Sequence, residues 1–207
     1  MTISLRLRAG KLSLADIKKA YDNHQALLLD DSCKTNILAA KAVVDEYVSH
    51  KRIAYGINTG FGKLANVVIP EDHLPQLQKN LVLSHACGVG KYLEPSSIRI
   101  VMLLKINALI QGYSGVSWQL IEALVALYNA AIYPCIPEKG SVGASGDLAP
   151  LAHMSLALLG EGEVMYQNHL RKSADVLREV GLRPLILAPK EGLALLNGTQ
   201  VSTALLA

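Results

Sequence analysis

A glycine-rich segment that leads straight into a helical pattern constrains this chain more than any other feature. It reads Gly-Ser-Val-Gly-Ala-Ser-Gly-Asp-Leu-Ala-Pro-Leu-Ala-His over residues 140–153. Glycine permits sharp turns and close backbone packing that other residues do not. Asp147 stands where a helix N-cap is expected, and Pro150 falls in the first turn, where a missing N–H costs nothing. The sequence therefore predicts a tightly turned loop that leads into a buried helix.

The tripeptide Ala144-Ser145-Gly146 at the centre of this loop can form an electrophile from its own atoms. Because Gly146 has no side chain, its amide nitrogen can approach the carbonyl carbon of Ala144, and ring closure with loss of one water gives an imidazolone. Loss of the Ser145 hydroxyl as a second water leaves an exocyclic methylidene. No standard side chain is electrophilic, so such a group would add a new kind of catalysis. Bulk at position 144 or 146 would block the turn.

Other interpretations also fit this segment. Ala-Ser-Gly is a common tripeptide, and spacing alone favours a purely structural turn. A glycine-rich loop before a helix can also bind phosphate, although the Gly-Lys-Ser/Thr ending of a P-loop is missing. A Gly-x-Ser-x-Gly nucleophile elbow does not fit, because Gly146 follows Ser145 directly. From spacing alone, the role of the loop stays open.

Composition argues against several functional classes. Hydrophobic residues make up 51% of the 207 residues and the mean hydropathy is +0.28, which is rich for a soluble monomer. We therefore expect apolar surface to be buried against further chain or other subunits. The net charge of +3 includes no basic block, and the chain has one Phe and one Trp. These features argue against nucleic acid as a partner.

The cysteines and the apolar runs indicate a cytoplasmic protein. Cys33, Cys87 and Cys135 are odd in number and far apart, and no CxxC occurs, so neither a disulfide scaffold nor a metal site is expected. Residues 1–11 contain no apolar signal-peptide region. Charged residues interrupt the longest apolar runs, so no membrane span and no membrane partner are expected.

Hydrophobic periodicity predicts a mainly α-helical chain with a few short strands. Helices are predicted over residues 13–23, 31–48, 70–87, 95–111, 117–131, 147–159, 173–180 and 190–200. Strands are predicted over residues 27–29 and in a hairpin over residues 163–171. Ser13 with Asp16 resembles a capping box, and Ser173 is the expected cap of its helix. Lys105 and Asn107 interrupt the long apolar helix over residues 95–111 and need partners if they are buried.

The string from Gly140 to His153 closely resembles the signature of the aromatic amino acid ammonia-lyases, which carry the prosthetic group 4-methylideneimidazol-5-one (MIO). The likeness extends over essentially all 207 residues and matches the N-terminal portion of a longer family chain. It implies the helical N-terminal portion of the ammonia-lyase fold. It also implies MIO made from Ala144, Ser145 and Gly146, with Asp147 as a helper in the cyclisation and with no metal or diffusible cofactor.

Two further stretches resemble signatures of the same family. Residues 55–62, Tyr-Gly-Ile-Asn-Thr-Gly-Phe-Gly, would read as a connector from composition alone. The resemblance implies instead that Tyr55 lies in the active site as a candidate base, a role in which a phenol needs help from its neighbours. Residues 197–200, Asn-Gly-Thr-Gln, imply that Asn197 lies beside MIO and the amino acid part of the substrate. By itself, Asn197 would be read as a capping or kink residue.

The pair Ser84-His85 bears on the substrate. A lone histidine is more often a satisfied core residue than a catalyst. In the family, the residues at this pair of positions recognise the substrate side chain. Ser-His resembles the histidine-specific branch, whereas tyrosine- and phenylalanine-specific members favour His-Leu or Phe-Leu. The resemblance therefore implies L-histidine as the substrate, bound through a hydrogen bond between His85 and the imidazole ring.

The implied reaction is the non-oxidative deamination of L-histidine to trans-urocanate, the first step of histidine breakdown, by a homotetramer. The substrate would be captured through its α-amine, and Tyr55 would remove a β-proton; attack through the aromatic ring stays open. The chain ends in an apolar run without counterparts of the later active-site residues of the family, which predicts truncation. Alternatives are an inactive fragment or assembly module, a tyrosine or phenylalanine ammonia-lyase or aminomutase, and a phosphate-binding loop in an unrelated fold.

Overall fold

A computed structural model describes residues 4–207, and it confirms a mainly helical chain with a few short strands. The α-helices of this range are α1 Leu14–Asp22, α2 Ser32–Ser49, α3 Leu74–His85, α4 Pro95–Leu109, α5 Trp118–Asn129, α6 Leu148–Leu156, α7 Ser173–Glu179, α8 Glu191–Leu196 and α9 Gln200–Leu206. The strands are β1 Ser4–Leu7, β2 Ala26–Leu29, β3 Val89–Tyr92, β4 Tyr133–Pro134, β5 Pro137–Lys139, β6 Glu163–Tyr166 and β7 His169–Lys172. Single 3₁₀ turns cover Gly62–Leu64, Glu71–His73 and Ala157–Leu159.

Helix α4 lies at the centre of the core. It packs against α1, α5 and α9, and Val101, Met102 and Leu103 on successive positions are all fully buried. A helix that is apolar around most of its circumference is stable only when other elements surround it. Because α4 carries Lys105 in this setting, the charged side chain of Lys105 is buried as well.

The strands form three small sheets at the edges of the helical core. Parallel β1 and β2 pair with Leu5 opposite Leu27, β3 pairs antiparallel with β5, and β4-β6-β7 form a three-stranded sheet. The predicted hairpin is confirmed as β6 and β7, joined by Gln167 and Asn168 at positive φ, the turn conformation that suits antiparallel strands. Strands β1, β3, β4 and β5 were not predicted, because each has only two to four residues and a pattern that short does not distinguish a strand from a loop.

Several predicted helix boundaries are wrong. Helix α3 begins at Leu74 and not at residue 70, because a 3₁₀ turn precedes it. The cap of α7 is Lys172; Ser173 is the first helical residue, and its buried hydroxyl donates to the carbonyl of Ala157 at 3.0 Å. The predicted helix over residues 190–200 is interrupted after Leu196 and resumes at Gln200 as α9. The capping box of α1 at Ser13 is confirmed.

Apolar side chains also reach the surface. Within residues 4–207, at least 80% of the surface of five large hydrophobic residues is exposed. These residues are Leu14, Tyr113, Val142, Ile186 and Leu206. No helix in that range is both long and apolar enough to cross a membrane.

Candidate active site

The glycine-rich loop turns sharply through backbone conformations that favour glycine. Gly143 has φ +68°, Ser145 +62° and Gly146 +102°. The left-handed region is costly for a residue with a Cβ, so Ser145 must be held there by its surroundings. Residues 141–145 are exposed, whereas Asp147 is buried. The loop therefore presents Ala144 and Ser145 to solvent from a buried base.

Gly146 lies directly against Gly198, at the break between α8 and α9. The two residues form a parallel bridge in which the amide of Asp147 donates to the carbonyl oxygen of Gly198 at 2.8 Å. A Cβ added to Gly146 would lie 2.4 Å from that oxygen. Among the hydrogen bonds found within residues 4–207, none uses the N–H of Gly146. The tight turn predicted from the absence of a side chain is therefore present, and the nitrogen that would close the ring is not engaged elsewhere.

Asn197 brings a side-chain donor to the exposed end of the loop. Its Nδ2 lies 2.9 Å from the carbonyl oxygen of Ser145 and 3.0 Å from the Ser145 hydroxyl oxygen. The helix prediction failed at this residue because Asn197 is extended, with φ −73° and ψ 133°, and Gly198 follows at φ +137°. Asparagine and glycine are poor helix formers. Here they end α8 and turn the amide of Asn197 toward Ser145.

The carboxylate of Asp147 ties the base of the loop to α9. It accepts hydrogen bonds from the amide of Ser202 at 2.8 Å, from the Ser202 hydroxyl at 2.6 Å and from the Ser141 hydroxyl at 2.9 Å. Asp147 does precede α6, but its side chain makes no capping hydrogen bond. The carboxylate of Asp147 therefore does not cap α6 as predicted but binds Ser141 and Ser202. The contact with Ser202 is distant in sequence and could not be seen from the local pattern. Burial alone would raise the pKa of Asp147, but the hydrogen bonds from Ser202 and Ser141 outweigh it and hold the pKa below its ordinary value.

Replacing Asp147 by Ala should lower the free energy of unfolding by about 2–3 kcal/mol, because the amide and hydroxyl of Ser202 and the hydroxyl of Ser141 lose a buried, charged acceptor. Ser141→Ala removes one donor at the exposed edge and should cost no more than about 1 kcal/mol. Urea unfolding measures both effects. Since the folded state lowers the pKa of Asp147, its contribution is present above the ordinary carboxyl range and is lost on acidification. A difference between wild type and Asp147→Ala that grows on acidification would contradict this account.

Lys105 makes another buried polar contact near the loop. The sequence analysis predicted that a buried Lys105 would need a partner but did not identify it. The side chain of Lys105 is on α4, and the residue is 1% exposed. Its Nζ donates to the backbone carbonyl oxygen of Asn197 at 2.8 Å. Desolvation lowers the pKa of Lys105 from 10.5 to about 7. Asn107, the other polar residue of this apolar helix, has a buried Oδ1 for which no partner is found within the described residues.

His85 ends α3, and the segment after it is attached to the loop. The amide of Gly88 donates to Nε2 of His153 on α6 at 3.0 Å, and a Cβ on Gly140 would lie 3.0 Å from Cα of Gly88. Nδ1 of His85 lies 2.8 Å from the carbonyl oxygen of Leu81. A carbonyl oxygen only accepts, so Nδ1 carries a proton in this contact, and Nε2 of the neutral ring is an acceptor.

Tyr55 lies on a loop that packs against α8. A Cβ on Gly56 would fall 2.2 Å from Cδ2 of Leu193, one helical turn before Asn197. The ring of Tyr55 is 57% exposed and meets Phe61 edge to face at 5.6 Å. Within residues 4–207, no hydrogen bond joins Tyr55 to the glycine-rich loop. The structure thus brings Asn197 into contact with the tripeptide, while Tyr55 and His85 are on neighbouring segments without direct contact.

The residues present fit a ring formed from the tripeptide. Gly146 has no room for a side chain, and its N–H is not used in a hydrogen bond among the described residues. The Ser145 carbonyl, which would remain a carbonyl in an imidazolone, already accepts from Asn197. A phosphate loop needs successive N–H groups converging on one anion, whereas here the side chain of Asn197 points at the loop from outside.

Several known proteins resemble this chain in sequence. The family model described as aromatic amino acid lyase matches residues 12–207. A histidine ammonia-lyase of Desulfotalea psychrophila is 51% identical over 204 residues, which is 99% of this chain and 40% of that protein. A histidine ammonia-lyase of Legionella pneumophila strain Lens is 56% identical over 96% of this chain and 39% of its own length. The chain thus spans about two fifths of the length of these relatives.

Solved structures of related proteins have the same fold. The phenylalanine aminomutase of Pantoea agglomerans matches with a TM-score of 0.92 at 37% identity, over 98% of this chain and 39% of that one. The histidine ammonia-lyase of Trypanosoma cruzi matches with a TM-score of 0.83 at 40% identity, over 91% of this chain and 36% of that one. The family match over nearly the whole chain and the fold it shares with these enzymes lead to one conclusion: the chain belongs to the aromatic amino acid lyase family.

Proposed function

We propose that this chain forms the MIO-bearing part of a histidine ammonia-lyase, which removes ammonia from L-histidine to give trans-urocanate. The observation that carries the proposal is the contact of the Asn197 amide with both oxygens of Ser145, beside a junction of Gly146 and Gly198 that excludes any side chain. The histidine ammonia-lyases that resemble the chain support L-histidine as the substrate.

Ring closure uses only atoms of this chain. The bond between the Gly146 nitrogen and the Ala144 carbonyl carbon forms, and the Ala144 oxygen leaves as water with the protons of the Gly146 and Ser145 amides. The Ser145 hydroxyl leaves as a second water with the proton from its own Cα. Asn197 donates to the Ser145 carbonyl and so favours electron density on that oxygen, which makes the Cα proton more acidic. Once formed, the MIO group supplies the electrophile that ordinary side chains lack.

The chain's other residues would bind the substrate and move its protons. With Nδ1 of His85 directed at the Leu81 carbonyl, Nε2 is left to accept a hydrogen bond from the N–H of an imidazole ring. A phenylalanine side chain offers no such donor. Tyr55 is the proposed base for the β-proton, and Asn197 would contact the amino acid part of the substrate. The observation that favours histidine over phenylalanine as substrate is the contact of Nδ1 of His85 with the Leu81 carbonyl, which leaves Nε2 as the nitrogen that can face an imidazole N–H.

We further propose that the active enzyme is a cytoplasmic homotetramer and that this chain alone is incomplete. The exposed apolar side chains, such as Leu14 and Leu206, support burial against further chain or other subunits. The same exposure favours a second candidate, a catalytically inactive assembly module. In that case the loop would serve only as packing between α6 and the break before α9.

Mass spectrometry of the purified chain tests the proposal directly. We expect the peptide spanning residues 140–153 to be lighter by two waters, with the loss confined to residues 144–146. Ammonia release should then be greater from L-histidine than from L-phenylalanine or L-tyrosine, measured for the chain alone and together with the remaining family segment. An unmodified loop in both preparations would contradict the lyase proposal and favour the assembly module. If the loop is unmodified and inorganic phosphate protects it from proteolysis, the result would favour a phosphate-binding loop.

A further inference from the structure

Lys105 is placed where a lysine weakens the fold. The other buried residues of α4 are apolar, and no ion pair of Lys105 is found within residues 4–207. Removing an amine from water without a counter-charge is unfavourable, which is why the pKa of Lys105 falls to about 7. A methionine would fill nearly the same volume without this cost. Stability therefore does not explain a lysine at this position.

The contact of Lys105 lies at the break between α8 and α9, where no helical hydrogen bonds fix the orientation of the backbone. Its Nζ donates to the carbonyl oxygen of Asn197. The next carbonyl, that of Gly198, is already held by the amide of Asp147. Gly198, at φ +137°, is free to rotate more than any other residue type would be. Lys105 thus holds the carbonyl side of the peptide between Asn197 and Gly198, while Gly198 is bridged to Gly146.

The side chain of Asn197 and its backbone carbonyl share one Cα. Holding the carbonyl restricts ψ of Asn197, which is 133°, and so limits the movement of the Cα from which the side chain reaches Ser145. The two contacts, 2.8 Å from Nζ of Lys105 to the carbonyl oxygen and 2.9 Å from Nδ2 to the Ser145 carbonyl oxygen, form one continuous link. It runs from the centre of the core to the exposed tripeptide.

We propose that Lys105 is a positioning residue for maturation of the loop: it holds the carbonyl of Asn197 so that the Asn197 amide stays directed at Ser145 during ring closure. The inference rests on the proposed function. It assigns to the buried lysine no contact with the substrate and no proton transfer. Its consequence is that Lys105 governs how fast the tripeptide loses its two waters, independently of turnover.

The test compares Lys105→Met with a matched lysine substitution. Lys190→Met also removes a lysine donor to a backbone carbonyl, that of Ser114, at the opposite end of α8. We expect two-water loss from the peptide spanning residues 140–153 to be about tenfold slower in Lys105→Met, as for the loss of one hydrogen bond. Lys190→Met should match wild type. Lys105→Gln, with a donor on a side chain one bond shorter, should recover part of the rate.

A second readout follows Asn197 itself. In protein labelled with ¹⁵N-asparagine, the Asn197 side-chain amide should exchange with D₂O faster in Lys105→Met than in wild type or in Lys190→Met. Thermal unfolding of Lys105→Met should occur near the wild-type temperature, since removal of the buried amine offsets the loss of its hydrogen bond to Asn197. A general loss of structure would instead lower the unfolding temperature and would not be confined to the exchange rate of the Asn197 side-chain amide.

The outcomes separate the inference from the proposed function. If the wild-type loop keeps its full mass, the proposed function is contradicted and this inference with it. If wild type and folded Lys105→Met lose two waters equally fast, only the positioning role is overturned. Lys105→Leu provides a second donor-free variant should Lys105→Met not fold. If neither variant folds, Lys105 is a structural residue and the inference is wrong.

Discussion

Ser145→Ala should prevent formation of the methylidene, since the second water can come only from the Ser145 hydroxyl. The loop of wild type is expected to be lighter by two waters, and that of the variant by one at most. Ammonia release from L-histidine should fall by roughly 10³-fold or more, because covalent capture of the substrate is lost. Intact mass and ammonia release measure the two effects on the same preparations.

The fold should tolerate this change. Ser145 is exposed and already at φ +62°, so alanine meets the same backbone strain. The loss of its contact with Asn197 should lower the free energy of unfolding by no more than about 1 kcal/mol. Val142→Ala is the matched control, since Val142 is an exposed side chain of the same loop. It should keep both losses of water. Full ammonia release by a folded Ser145→Ala protein would rule out the proposed chemistry.

Local patterns in the sequence were sufficient to predict most of the helices and the loop that carry the candidate site. The apolar spacing of α4 and α5, the capping box at Ser13 and the turn of the β6–β7 hairpin depend on neighbours within a few residues, so the sequence shows them directly. The tight turn at Gly146 could be predicted for the same reason. The close contact that makes glycine necessary there comes from Gly198, 52 positions later in the chain, which no local pattern reveals.

Long-range polar contacts were the part that the sequence did not reveal. Asp147 has the residue type and position of a helix cap, and its use by Ser202 became visible only once α9 was placed beside the loop. Lys105 could be recognised as a buried polar group in need of a partner, but a backbone carbonyl has no signature in sequence. The misplaced helix over residues 190–200 had a usable signal, because Asn197 and Gly198 both disfavour helix. The roles of Tyr55 and His85 stay predictions.

Gly146→Ala should disrupt both the junction and its chemistry. The new Cβ would lie 2.4 Å from the carbonyl oxygen of Gly198 and 2.9 Å from its carbonyl carbon. Both are backbone atoms, so the break between α8 and α9 must move away from the loop. Gly146 is also at φ +102°, which an alanine rarely adopts. We expect the free energy of unfolding to fall by about 2–3 kcal/mol from the combined clash and strain.

Loss of the two waters should become undetectable in the same variant, because moving Gly198 removes the bond from Asp147 and carries Asn197 away from Ser145. Gly143→Ala separates strain from clash. Gly143 has a similar positive φ of +68°, but nothing lies within 4 Å of its added Cβ, so alanine there should cost only about 1–2 kcal/mol and leave the loop able to mature. Urea unfolding and the mass of the loop peptide distinguish the two. Normal maturation of Gly146→Ala would show that the contact between Gly146 and Gly198 is a packing detail, and the cause of ring closure would then have to lie in the exposed part of the loop.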